Sequence, residues 1–167
     1  MARVDDQIDE LYKGPLEAFT QRRDELVKTA GAQHASRIRR LRKPTRVAWA
    51  ANQVYWRERR AYERLMSAGR QLRKAQLAAL AKRTADVRGA ADAHRRALAD
   101  AVHAAEAIAA RDGHTVDADR LSRTLDALSL AEAPPDAPGR LTRPLAPAGF
   151  EALAPAAARA QRPRRRS

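Results

Sequence analysis

From Glu58 to Arg111 the chain runs without a proline, and only Gly69 and Gly89 interrupt its helical propensity. Leu65, Leu72, Leu80 and Val87 recur along it every seven or eight residues, and Leu98, Val102 and Ile108 carry the stripe on. That spacing is the apolar face of a helix. A single helix of this length would reach roughly 80 Å at 1.5 Å per residue, improbable for a small globular chain. The run is therefore expected to reverse between Lys82 and Gly89, where Thr84 or Asp86 supplies an oxygen to cap the returning helix. The result is an antiparallel hairpin whose first arm is basic and whose second is mildly acidic, so that the arms attract as well as bury their stripes.

Shorter helices precede it. Val4, Ile8, Leu11 and Tyr12 share one face of a helix from Val4 to Tyr12, and Gly14-Pro15 ends that helix and opens the next. Leu16, Phe19, Arg23, Leu26 and Val27 continue the spacing towards Gly31. A third helix, Ala35 to Arg42, has only Ile38 and Leu41 to bury. Proline disfavours helix at the residue before it, so Lys43 is a boundary and Pro44 or Thr45 starts the fourth helix. There Val47, Ala50, Ala51 and Val54 form one face, with Trp49 and Tyr55 at its sides. Arg111-Asp112-Gly113 gives the hairpin a glycine stop, and Val116 to Leu130 makes a last helix around Leu121, Leu125 and Leu128.

Alternating strand patterns are missing, so the fold class is all-α: a helical hairpin with short N-terminal helices packed on it. Residues 1–132 form the helical domain. Seven of the nine prolines follow residue 133, which makes 133–167 a Pro/Ala-rich basic tail, expected to be partly disordered. Within it, residues 139–153 carry Leu141, Leu145, Phe150 and Leu153, enough to dock on the helices. Aromatic residues are only 4% of the chain and alanine is abundant, so the core is thin and self-association would help to stabilise it.

The net charge of +13 is unevenly placed. Residues 1–36 carry −2, residues 37–83 carry +13, residues 84–133 carry −3 and residues 134–167 carry +5. A concentrated positive field draws polyanions by releasing their counterions. A solvated helical face is the competing account, because 28 Arg against 5 Lys is also what a GC-rich coding sequence produces.

Other function classes find little support. The chain has no Cys, hence no disulfide, thiolate nucleophile or Cys-ligated metal. His103 and Glu106 stand one turn apart, but no second carboxylate–His pair matches them as a di-metal bundle requires. Glycine-rich phosphate loops and nucleophile elbows are absent, and Ser36, Ser67, Ser122 and Ser129 have no base near them in sequence. The expectation is a non-enzyme with no cofactor and no metal. The acidic N-terminus lacks an apolar leader core and no long apolar run occurs, which points to a cytoplasmic protein without membrane partners.

Two segments, LRKPTRVAWAAN at 41–52 and GRLTRPLAPAGFEAL at 139–153, together with LYKGPLEAFTQRRDEL at 11–26, resemble a group of bacterial helical proteins from high-GC organisms. That group carries an LY…P…F…R opening, an LRKP…AW..N element and a GRLTR.L.P.GF ending, and has no established activity to transfer. The resemblance implies that the tail motif belongs to the protein rather than to a linker. It singles out Arg42, Lys43, Pro44, Trp49, Asn52, Arg140, Thr142, Arg143 and Phe150 as surface or core positions of consequence.

The candidate interface comprises Arg37, Arg39, Arg40, Arg42, Lys43, Arg46, Asn52, Arg57 and Arg60, flanking a helix start whose N–H groups add to the positive field. Trp49 and Asn52, one turn apart, read either as a stacking platform with a hydrogen-bonding reader, or as a core anchor with an amide bonded to a neighbouring loop. Arg59, Arg64, Arg70, Arg73 and Lys74 extend the charge but surround their helix. The sequence reading is noncatalytic binding of DNA or RNA with weak sequence preference; the alternative is a helical adaptor that binds a protein or its own copy.

Overall fold

The computed structural model describes residues 3–147, and these are helical with no strand. Seven α-helices follow in order: α1 (Val4–Lys13), α2 (Phe19–Thr29), α3 (Ala32–Arg39), α4 (Arg46–Arg57), α5 (Arg59–Leu80), α6 (Val87–Arg111) and α7 (Ala118–Leu130). A 3-10 turn, Leu16–Ala18, leads into α2 and takes up the residues expected to begin that helix.

α1, α2 and α3 form a small layer with its own core. Ile8, Leu11, Tyr12, Phe19 and Ile38 are buried in it, and the Tyr12 and Phe19 rings meet edge to face at 5.2 Å. Gly31, at φ 81°, turns the chain so sharply that α3 starts immediately behind it, three residues earlier than expected. α3 also stops three residues early, because the chain must already be extended when it reaches Pro44.

α4 is the axis of the molecule. Thr45 caps it, Oγ1 accepting from Ala48 N at 3.2 Å, as the Pro44 boundary suggests. Every residue from Val47 to Val54 is buried, not only the four on the expected face. A helix wrapped on all sides needs this, since α1 covers one flank and α5, α6 and α7 the others. Glu58, with a non-helical backbone, turns the chain into α5.

α5 and α6 make the hairpin. Asp86 caps α6, its carboxylate accepting from Gly89 N at 2.9 Å. α6 packs through small residues, Ala97, Ala101, Ala105 and Ala109 lying buried on it, between α4, α5 and α7. Among the described residues no ion pair joins the arms, so the expected attraction acts only as a diffuse field. α7, capped by Asp117, lies along both arms. Gly69 permits its close approach to α5: a Cβ there would stand 2.1 Å from Ser129 O. Leu65 and Leu72 enter this core, but Leu80 is 81% exposed, against the expectation for the stripe. The reason is length. Arg73 Nη1 donates to Leu130 O at the last residue of α7, and α5 continues beyond that point without α7 over it.

From Ala131 the chain crosses back as an extended strap. Leu141 is buried, Leu145 N donates to Thr124 Oγ1, and Thr45 N donates to Thr142 O at 2.9 Å. Phe150 and Leu153, the other apolar residues expected to dock, lie outside the described residues.

Candidate nucleic-acid interface

The connector between α3 and α4 sets the geometry. Pro44 is buried and Leu41 half-buried, so the side chains between and before them point outward; Arg39, Arg40, Arg42 and Lys43 are all exposed. Arg23 Nη1 holds the connector from beneath through Leu41 O at 3.0 Å, and the Thr45–Thr142 bond holds its far end. None of these four cations has a carboxylate partner among the described residues. The segment therefore presents four uncompensated charges on a backbone pinned at both ends.

Other members of the expected set are engaged elsewhere. Arg37 pairs with Asp5 at 2.6 Å and holds that carboxyl below its ordinary value, through its hydrogen bond first and its charge second. Arg57 grips both oxygens of Asp112, at 3.3 and 3.0 Å, tying α4 to the end of α6. Arg46 is exposed but donates to Thr115 O at 3.2 Å. Arg60 is exposed on α5, at the opposite end of α4 from the connector. At 1.5 Å per residue the 12-residue α4 separates the two groups by roughly 18 Å, so they are two patches.

Asn52 leaves the interface altogether. It is 2% exposed, and both ends of its amide are bonded to the backbone of Leu141. Trp49 is buried beside it, its indole N–H donating to Gly14 O at 3.1 Å and its ring edge-on to His114 at 5.1 Å. Gln53, which periodicity passes over, donates to Tyr12 O at 2.9 Å. One face of α4 thus hydrogen-bonds the α1–α2 corner and another the strap. The segments 11–26, 41–52 and 139–145 meet there, with Trp56 Nε1 on Gly139 O and the Arg140 guanidinium on Asp9 at 2.7 Å.

The fold also pairs Ser129 with a histidine that sequence distance concealed. Ser129 Oγ lies 2.8 Å from His94 Nε2, but both are buried and the hydroxyl donates to Asp126 O. The pair ties α6 to α7. Among the described residues no group of three or more potential metal ligands assembles, and no helix is long and apolar enough to cross a membrane.

The geometry defines an all-α bundle closed by a strap, with four cations on one connector that lack an acidic partner among the described residues and further ones along α5. Comparison with protein-family models, with curated proteins and with solved structures finds no match for the chain.

Proposed function

We propose that the protein binds nucleic acid without catalysis, through phosphate contacts made by Arg39, Arg40, Arg42 and Lys43, with Arg60 and Arg64 as a second patch. The observation that carries this reading is the connector: four adjacent exposed cations, no acidic partner among the described residues, and a backbone tied at Leu41 and Thr45. A backbone already tied in place has little left to order on meeting a phosphate backbone, and such contacts carry little sequence information. Arg37 and Arg57 stand outside the surface, because their charges are already spent on Asp5 and Asp112. A cytoplasmic place of work goes with this reading.

Titration of labelled duplex DNA and single-stranded RNA at roughly 50 and 200 mM salt tests it. Affinity should fall steeply with salt, and changing Arg39, Arg40, Arg42 and Lys43 together to Gln should flatten the log–log slope by roughly 3 to 4. No binding at the lower salt, or a slope untouched by the variant, would overturn it.

A further inference from the structure

The exposed large apolar residues among those described are Leu77 (58%) and Leu80 (81%), and both lie on the free end of α5. They are not scattered. Gly69, which abuts Ser129 of α7, and Arg73, which bonds Leu130 of α7, stand four residues apart, and Leu77 and Leu80 extend the same face by four and three more. The surface that seats α7 therefore continues for roughly 10 Å beyond the end of that helix, with leucines on it that no described residue covers.

Charge lies beside these leucines. Arg70, Arg73, Lys74 and Arg83, together with Leu77 and Ala78, line a recess of about 280 Å³. From residue 64 to residue 85 the chain has no acidic residue. The turn fixes the last of these cations: Lys82 N donates to Ala79 O and Arg83 N to Ala78 O at 2.9 Å, with Lys82 in the left-handed region at φ 57°. Arg83 is thereby folded back beside the helix it has just left.

We propose that this overhang is the seat of an acidic amphipathic helix from a partner protein, lying in line with α7. Its apolar face covers Leu77 and Leu80, and its carboxylates meet Arg70, Arg73, Lys74 and Arg83. A phosphate backbone has no use for two leucines, so this surface is distinct from the connector and goes beyond the nucleic-acid reading. A second copy is disfavoured by like charge, since two such ends would bring their cations together.

Fluorescence anisotropy of a labelled Glu/Ala/Leu peptide with leucines at i, i+3, i+4 and i+7 tests the proposal on the full chain. A peptide of the same composition with its leucines spread around the helix is the control. The amphipathic peptide should bind, and about tenfold more weakly when Leu77 and Leu80 are changed to Ser. These side chains lie outside the core, so the variant's unchanged melting curve verifies its fold. The control peptide should be weaker by a similar factor, and the Arg39/Arg40/Arg42 to Gln variant should bind the amphipathic peptide as the parent does. Absent binding, equal binding of the two peptides, or indifference to Leu77→Ser with Leu80→Ser overturns the proposal. So does a parent dimer that the leucine variant dissolves, or leucine-dependent binding to phosphatidylserine vesicles that the peptide fails to displace.

Discussion

Asn52 and Leu141 hydrogen-bond each other twice, Asn52 Nδ2 donating to Leu141 O at 2.9 Å and Leu141 N donating to Asn52 Oδ1 at 2.8 Å. The amide substitutes for a neighbouring backbone strand and satisfies a buried peptide that would otherwise have none. Replacing Asn52 by Ala orphans both groups. With about 1–3 kcal/mol for each unpaired buried group, the loss should be about 2–6 kcal/mol in urea unfolding. Asn52→Asp should not rescue it, because a carboxylate oxygen would face the Leu141 carbonyl.

The two arms of the hairpin end in the same way with different residues. Gly113 takes the left-handed position after α6 at φ 80°, and Lys82 takes it after α5 at φ 57°. A side chain is strained there and glycine is not. Lys82→Gly should stabilise the protein by about 0.5–1 kcal/mol, while Gly113→Ala, where open space surrounds the new Cβ, should cost about 1 kcal/mol from backbone strain alone. Thermal melts of both variants decide this.

Gly69→Ala should be among the costlier methyl additions available. Helical propensity alone favours alanine by about 1 kcal/mol. The new Cβ would meet Ser129 O at 2.1 Å, however, and backbone cannot yield as a flexible side chain does. Overpacking costs about 1–3 kcal/mol or more, so the net effect is loss of stability, visible as a lower urea midpoint.

Asp5 links pH to the N-terminal layer. Arg37 and then Arg140 lower its pKa from the ordinary 3.8. A carboxyl depressed in the folded state contributes stability that is present above the ordinary value and lost as pH falls through the folded one. The gap in stability between the parent and Asp5→Asn should therefore be open at neutral pH and close below about pH 4. Melting curves across that range measure it; a gap independent of pH would contradict the pairing.

The punctuation of the fold was legible in the sequence. Gly14-Pro15, Thr45, Asp86 and Gly113 stop or cap helices where local chemistry says they should, because a cap or a left-handed turn is decided by residues three or four apart. What escaped the reading depends on distant partners. Asn52 reads as a ligand reader or as an amide bonded to a neighbouring loop, and only Leu141, 89 residues later, decides for the loop; Arg37 looks free until Asp5, 32 residues earlier, is beside it. Leu80 fits the apolar period of its helix, yet periodicity marks a face without saying how far the covering helix extends. Trp49 could be read as a stacking platform or as a core anchor, and Gln53, equally buried, gave no signal at all. The bare connector at 39–43 was visible as charge, but which of its neighbours were already paired was not.

The strap has a consequence for the order of assembly. Its contact from Arg140 to Asp9 spans 131 residues, whereas the hairpin arms are joined by a turn of a few. Closing a long loop forfeits more chain entropy before any contact repays it, so local helical pairs form first and the strap last. On the ribosome, where the N-terminal end emerges first, α1 and α4 are made early. The polar groups of Asn52 and Asp9 then stay hydrated until residues 140 and 141 emerge. The tie between α1 and the strap is thus among the last contacts to form.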